Sequence, residues 1–157
     1  MPARLTAMVA AMVLSGCAAT GPVARTADTQ ELLRLHEEAM QAHRDSSIEL
    51  LLAAEGDDYV IGSRGAVSKP TRAERKAFLG PYLAATRFSV YRDQVAPIVK
   101  VSDDGTLGWV IAQVEAKGEQ KGATRTHDVE FVSAWIELYE KRDGRWMRIG
   151  NVSNFKG

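Results

Sequence analysis

Three histidines are the side chains of this 157-residue chain that most readily suggest acid–base or metal chemistry. His36 and His43 are seven residues apart, which on a helix separates them by about 10 Å along the axis, too far for one metal ion to bind both. The chain has no HExxH pattern, so the sequence predicts no metal site. His36 lies on an apolar stripe, where it is either a core or pocket-wall residue or a catalyst. His43 lies near the predicted helix end, where the helix dipole favours it.

The third histidine, His127, precedes Asp128 on a predicted strand. Adjacent strand residues point to opposite faces, so these two cannot form a simple His–Asp dyad. Asp128 and Glu130 share a face that continues into Val132 and Ala134, which we expect to be the concave, pocket-lining side. A carboxylate at the edge of an apolar pocket can have a raised pKa and act as a general base. The alternative is that both carboxylates are solvated at the exposed start of the strand.

Four further polar residues could hydrogen-bond a ligand in the same pocket, namely Tyr59, Tyr82, Asn151 and Ser153. Together with His36 they do not form a complete catalytic set. The chain also lacks a P-loop, the glycine fingerprint of dinucleotide-binding proteins and a GxSxG nucleophile motif. The sequence therefore predicts no cofactor.

The elements that must position these residues begin with helices. Asp28-Thr29-Gln30-Glu31 has the pattern of a helix N-terminus, and apolar residues then recur at helical spacing. A short second helix is predicted from Ser47 to Ala54, and a strand from Asp58 to Ser63. A third helix follows the capping box Thr71-Arg72-Ala73-Glu74, and we expect Pro81 to kink or end it.

The apolar period changes to two from residue 86 onward, which predicts four strands at about 86–101, 107–117, 125–141 and 145–155. The connections are short and contain turn residues, so neighbouring strands should be antiparallel. Helices followed by a long meander indicate an α+β fold. Apolar residues on both strand faces suggest that helices cover one side of the sheet and a second copy covers the other. We expect this homodimer face to carry Trp109, Phe131, Trp135 and Tyr139.

Composition limits the partners that the chain can have. It is 45% hydrophobic and 25% charged, which is ordinary for one globular domain. Twenty basic and twenty acidic residues cancel and are interspersed, so no basic face is available for nucleic acid. Cys17 is the single cysteine, which excludes an intrachain disulfide and a cysteine metal site.

The N-terminal segment has the features of an export signal. Arg4 precedes an apolar run from Leu5 to Leu14, which is shorter than the roughly twenty residues needed to span a bilayer. Such a run is typical of the hydrophobic region of a signal peptide. It ends in Leu14-Ser15-Gly16-Cys17, which resembles the bacterial lipobox, an aliphatic residue and two small residues before a cysteine whose thiol receives a diacylglycerol. We therefore expect residues 1–16 to be removed and Cys17 to be lipidated.

That expectation sets the location of the rest of the chain. A multiply acylated Cys17 would hold the chain stably on the extracytoplasmic side of a membrane. In lipoproteins of this type, an Asp directly after the cysteine favours retention in the inner membrane, and this chain has Ala18 there. If the cell has two membranes, we therefore expect the protein on the outer membrane, facing the periplasm. Residues 17–27 have no apolar periodicity and contain Gly21-Pro22, which predicts a flexible tether before a domain at 28–157.

The last two predicted strands resemble a known family. The segment from Trp135 to Ile149, WIELYEKRDGRWMRI, and the ending Asn151-Val152-Ser153-Asn154-Phe155 look like the closing hairpin of the SnoaL-like group in the nuclear-transport-factor-2-like superfamily. The resemblance covers about residues 28–156. It implies a curved, mixed, mostly antiparallel sheet that wraps around N-terminal helices into a cone, with a pocket at the open end.

The resemblance does not select a function, because this fold serves isomerases, dehydratases, cyclases, binding modules and assembly domains. Since no complete catalytic set is visible, we expect a membrane-tethered, noncatalytic module that binds a small apolar ligand or a protein partner. One alternative is a small acid–base enzyme of the dehydratase, isomerase or cyclase kind that uses Asp128 or Glu130, with or without His36. Another is a role in envelope assembly through the dimer face.

Overall fold

The computed structural model describes residues 22–156. The predicted signal peptide, residues 1–16, and Cys17 lie outside the described residues. The elements within that range are, in chain order, α1 Pro22–Arg44, α2 Ile48–Leu52, β1 Glu55–Ser63, β2 Ala66–Ser68, α3 Arg72–Ala85, β3 Thr86–Asp93, β4 Ile98–Val101, β5 Leu107–Lys121, β6 Thr126–Arg142 and β7 Arg145–Lys156. None of these described helices is both long and apolar enough to cross a bilayer.

The first helix is longer than the sequence pattern predicts. α1 begins at Pro22, so the predicted flexible tether is helical from residue 22 to 27 and that prediction is wrong there. Proline suits a first helical turn, because its missing N–H would have had no helical partner. Asp28 therefore does not cap the helix. Its carboxylate instead accepts a hydrogen bond from Trp146 Nε1 at 2.9 Å and pairs with Lys141 Nζ.

The other two helices begin as their sequences predict. Ser47 caps α2 by accepting a hydrogen bond from the backbone N–H of Leu50. Thr71 and Glu74 form the predicted capping box of α3. Pro81 does not end that helix, which continues to Ala85. Pro81 lies on the exposed side of α3, where water can satisfy the carbonyl group that loses its helical partner.

The strands form one sheet in the order β2-β1-β7-β6-β5-β3, with β4 also paired to β5. All the pairs are antiparallel except β1 with β7, which is parallel. The predicted α+β class, with a curved and mostly antiparallel sheet around N-terminal helices, is confirmed. The predicted strand at 86–101 is divided, because the chain leaves the sheet at residues 94–97 and Pro97 has no N–H for the ladder.

One face of the sheet, which we call the inner face, packs against the helices. On β5 it carries four residues that are at most 1% exposed, Val110, Ala112, Val114 and Ala116. The register pairs Val110 with Glu137 and Ala112 with Trp135. Since side chains alternate along a strand, the inner face of β6 consists of Phe131, Ser133, Trp135, Glu137 and Tyr139.

This register corrects the predicted use of the two faces. Tyr139 is buried with α1 in the core, and Phe131 and Trp135 are partly buried against a second core cluster, so these three predicted dimer residues lie on the helix-covered inner face. Trp109 lies on the opposite, outer face, together with the residues that were expected to be concave, Glu130, Val132 and Ala134. The sequence could not choose between the faces, because both carry large apolar residues and alternation alone is symmetric.

Candidate functional site

A carboxylate, Glu137, is the centre of a buried polar cluster on the inner face. It is 2% exposed and lies on β6 between Trp135 and Tyr139, which point to the same side because each is two residues away. Trp135 Nε1 donates a hydrogen bond to Glu137 Oε1 at 2.9 Å, and Tyr139 OH donates to Oε2 at 2.6 Å. A third donor comes from α1, since His36 Nδ1 lies 3.1 Å from Oε1.

His36 lies between two carboxylates. Its Nδ1 faces Glu137, and its Nε2 is 3.2 Å from both carboxylate oxygens of Asp93, at the end of β3. An ionised carboxylate can only accept, so this arrangement favours the imidazolium form, in which both ring nitrogens donate. Burial by itself would lower the pKa of His36, but the hydrogen bonds and charges of Glu137 and Asp93 raise it above its ordinary value of 6.5. Asp93 is the member of this group that reaches solvent, with 22% of its side chain exposed.

A second set of ion pairs continues the cluster towards β1. Glu55, at the start of β1, accepts hydrogen bonds from Arg75 Nε at 2.7 Å and from Arg148 Nη2 at 3.3 Å. Arg148 Nη2 also donates to the carbonyl of Leu51 at 2.6 Å, and Nη1 lies 4.0 Å from Glu137 Oε1. The buried network, which we define as His36, Asp93, Glu137, Arg148, Glu55 and Arg75, therefore ties all three helices to the sheet.

The neighbouring charges keep Glu137 ionised. Burial by itself would raise the pKa of this carboxyl, but the hydrogen bond from His36 and the charges of Arg148 and His36 lower it to about 2. Burial of the charge is tolerated because the group is paired and hydrogen-bonded. A carboxylate with so low a pKa, and with three donors on its oxygens, is unsuited to removing a proton from a ligand at neutral pH.

The second histidine of α1 has a different environment. His43 stacks on Tyr91 with the ring centroids 4.4 Å apart, and its Nδ1 donates to the carbonyl of Ala39 at 2.8 Å. Burial, aided by the charge of Arg148, lowers the pKa of His43 to about 4. The ring is therefore neutral at pH 7 and is not the charged residue that the negative end of a helix dipole would favour.

Some polar groups of the interior have no hydrogen-bond partner among the described residues. Within residues 22–156, Arg148 Nε is buried without a hydrogen bond. The hydroxyls of Tyr59 and Tyr91 make no hydrogen bond within the described part of the chain, although the two residues are 4% and 6% exposed. The guanidinium of Arg75 lies 4.1 Å from the ring centroid of Tyr59. These groups, rather than the carboxylates, are what the interior could offer to a small polar molecule.

The other predicted pocket residues border this interior. Asn151 and Ser153 lie on the inner face of β7, where the register pairs them with Glu137 and Trp135. Both are half-buried. Tyr82 is half-buried on α3 and packs against the core cluster between the helices. The structure therefore places Asn151 and Ser153 on the inner face of the sheet, which His36 contacts. It places Tyr82 between the helices.

The two carboxylates predicted as general bases lie outside the cone. Asp128 is exposed, and the Glu130 side chain is 70% exposed and pairs with Lys117 Nζ at 3.0 Å. Both line an open surface groove of about 480 Å³ beside β3 and β5. Water solvates them there, so the prediction that either is a desolvated base in an apolar pocket is wrong.

The sequence does not predict five members of the buried network, which come from five different elements: Glu55, Arg75, Asp93, Glu137 and Arg148. One signal was available. Glu137 interrupts an apolar strand, Trp135-Ile136-Glu137-Leu138-Tyr139, and a carboxylate that becomes buried must be paired. The partners could not be found in the same way, because they are brought together only by the fold.

Comparison by sequence identifies no relative, since no known protein family and no curated protein matches the chain. Comparison by structure does. An NTF2-like protein from Cytophaga hutchinsonii matches with a TM-score of 0.61 and 16% identity, over 78% of this chain and 93% of that one. A ketosteroid isomerase-like protein from Erwinia carotovora atroseptica matches with a TM-score of 0.64 and 14% identity, over 83% of this chain and 97% of that one.

A third similar structure is a hexachlorocyclohexane dehydrochlorinase of type 2, with a TM-score of 0.69 and 14% identity over 87% of this chain and 90% of that one. At such identities the comparison shows the fold alone. The chain has the nuclear-transport-factor-2-like fold. Because proteins of that fold include enzymes and proteins of unknown function, the function must be argued from the site.

Proposed function

We propose that this chain is a lipid-anchored, extracytoplasmic binding module of the SnoaL-like kind that does no chemistry of its own. The observation that carries the proposal is that the two candidate acid–base groups of the interior, Glu137 and His36, already have hydrogen-bond partners. Glu137 accepts from three donors, and both nitrogens of His36 are directed at carboxylates. A general base needs a free lone pair directed at its ligand and a pKa near the working pH, and neither residue has both.

The binding surface that the structure favours lies on the outer face of the sheet. The ladder registers align one outward-pointing position on each of six neighbouring strands, in the order Ile98, Ile111, Ile136, Val152, Gly62 and Val67. Four of these side chains are 40% to 77% exposed. We call this line of residues the outer row. It is an apolar surface, whereas the interior of the cone contains the charged side chains of the buried network, which pair with one another.

The dimensions of the outer row suit a protein partner, and we take that partner to be a second copy of the chain. Six strands spaced about 4.8 Å apart give a row about 24 Å long. With the neighbouring Trp109 and Leu138, the apolar area is on the order of 400 Å², a size that marks interaction sites on soluble proteins. A stable dimer buries about 800 Å² on each partner, so the outer row would form its centre and polar residues its rim.

Self-association is tested by placing a charge in the outer row. Ile111→Lys would bury an unpaired ammonium at the centre of a dimer, so we expect a dimeric wild type and a monomeric variant by sedimentation in density-matched detergent. Phe78→Lys is the matched control, because Phe78 is 79% exposed on α3 and lies outside the row. A monomeric wild type, or an Ile111→Lys protein that remains a dimer, would contradict the proposed surface.

The anchor and the location are tested at Cys17. We expect the domain to fold in Cys17→Ser but membrane association to be abolished, because the sulfur of Cys17 is the proposed attachment atom of the lipid. Fractionation of the envelope should find the wild type in the outer membrane, and mass spectrometry should find Cys17 acylated at the mature N-terminus. Cys17→Ser protein that stays in the membrane fraction would rule out lipidation as the anchor.

A second candidate function is a small acid–base enzyme. It is favoured by one observation. Asp93 is partly exposed and contacts His36, so one carboxylate of the buried network is accessible to solvent while the His36 ring supports it. Such an enzyme would exchange solvent deuterium into a carbon acid from a panel of small ketones and carboxylates. Exchange that is present in the wild type and lost in Asp93→Asn, with the fold intact, would replace the noncatalytic proposal.

A further inference from the structure

The N-terminal part of α1 is fixed to one end of the domain through Asp28, which lies six residues after the first residue of the helix, Pro22. Asp28 accepts a hydrogen bond from Trp146 Nε1 at 2.9 Å and pairs with Lys141 Nζ, close to the turn between β6 and β7. Gly105, in the turn before β5, is also adjacent, since a side chain there would lie 3.7 Å from an Asp28 carboxylate oxygen. We call this end, formed by Asp28 and the turns at residues 102–106 and 142–145, the anchor end.

From the anchor end α1 runs along the sheet towards the turn between β5 and β6. Leu32 packs with Val110 near the start of β5, and Met40 packs with Val114 and Ala116 farther along that strand. The turn at residues 122–125, which we call the far hairpin, therefore lies at the opposite end of the molecule. Fifteen residues of β6 separate it from Lys141, which corresponds to about 50 Å of strand.

The chain between the anchor end and the lipid is short because α1 begins at Pro22. Six helical residues from Asp28 back to Pro22 cover about 9 Å. Five residues from Pro22 to Cys17 can span at most about 18 Å, even when they are fully extended. Asp28 is thus held within roughly 27 Å of the lipidated residue, whereas a tether extending to residue 27 would have allowed a much wider range of positions.

We propose that the domain stands on the membrane with its anchor end towards the lipid and its far hairpin away from it. This inference rests on the proposed lipidation of Cys17. Its consequence is that the long strands point away from the membrane, so that the outer row is reached from the side. Acidic and basic groups are mixed at the anchor end, as in the pair of Arg142 with Asp58 at 2.6 Å, so the orientation comes from the short tether and not from adsorption of a basic surface.

Energy transfer from the domain to the membrane tests the orientation. The lipidated protein is placed in vesicles that contain an acceptor-labelled lipid, and a donor dye is attached to Arg145→Cys at the anchor end or to Ala123→Cys in the far hairpin. Both positions are exposed, since Arg145 is the first residue of β7, directly after the turn at residues 143–144, and Ala123 lies in the far hairpin. Since Cys17 is the single native cysteine and its sulfur is occupied by lipid, the introduced thiol is the one that reacts.

We expect transfer from position 145 to be at least about twofold stronger than from position 123, because the strands separate the two by tens of ångströms. Equal transfer, or stronger transfer from position 123, in protein that floats with the vesicles would overturn the orientation and leave the anchor intact. Protein that does not float with the vesicles would overturn the anchor, and this inference with it. Flotation with the vesicles therefore distinguishes the two failures before energy transfer is measured.

Discussion

The substitution Glu137→Gln tests whether the buried network stabilises the fold through charge. It keeps the size of the side chain and removes the negative charge that His36 and Arg148 share. Glu137 has a pKa of about 2 in place of its ordinary 4.5. Because each pH unit of pKa difference is worth about 1.4 kcal/mol, the ionised group stabilises the folded protein by about 3 kcal/mol at neutral pH.

The pH dependence follows from the direction of the shift. A carboxyl whose pKa is lowered by folding contributes its full stability above pH 4.5 and loses it as the pH falls from about 4.5 to about 2. His36 behaves in the opposite way, since its pKa is raised. Its contribution is complete below pH 6.5 and is lost as the pH rises through the raised value. The pair is therefore most stabilising between these two limits.

Urea unfolding of the wild type and of Glu137→Gln at several pH values measures both effects. At pH 6 we expect the unfolding free energy of the variant to be about 3 kcal/mol below that of the wild type. Between pH 4.5 and pH 2 we expect the unfolding free energy of the variant to fall by less than that of the wild type. Glu130→Gln is the matched control on the same strand, and its exposed pair with Lys117 should contribute at most about 1 kcal/mol. Two results would refute the claim that the charged network stabilises the fold. One is a loss of unfolding free energy below about 1 kcal/mol in Glu137→Gln, and the other is a pH dependence below pH 4.5 that is the same in the variant and the wild type.

Two further outcomes follow from the contacts of α1. By NMR titration His36 should have a pKa above 6.5, whereas His43 should stay neutral down to about pH 4, and a reversed order would contradict the two environments. Asp28→Asn should destabilise the protein by about 1–3 kcal/mol in thermal or urea unfolding, because it weakens the contacts to Trp146 and Lys141. Asp45→Asn, at an exposed carboxylate that accepts from Gln41, is the control and should change stability by less than about 0.5 kcal/mol.

The fold class was predictable because its signals are local. The alternation of apolar residues, the turn residues between strands and the caps at Ser47 and Thr71 each depend on a few neighbouring residues. The end of the predicted tether was not recognised, because α1 from Pro22 to Ala27 has no apolar stripe to reveal it. The effect of Pro81 is not local either, since the cost of a proline in a helix depends on whether solvent reaches the carbonyl group that loses its hydrogen bond.

The candidate site was much less predictable than the fold. The types and positions of His36 and Tyr59 predict interior residues, and both lie in the interior, whereas Asp128 and Glu130 lie on the opposite face of β6 from the one that the helices cover. A displacement of one residue along a strand moves a side chain to the opposite face. When both faces carry apolar residues, the sequence contains no sign of which one the helices cover.

The sequence by itself determined the local features of this protein: its helix caps, its meander of strands, its near-neutral charge and the lipobox-like segment that ends at Cys17. Only the tertiary structure decided that Glu137 faces inward, because that depends on the register of β6 against β5 and on where α1 packs. The same packing decided the charge states. The pKa of His36 is raised and that of His43 is lowered on one helix, because the first ring faces two carboxylates and the second is buried against an aromatic ring. A pKa is set by such neighbours in space rather than in sequence.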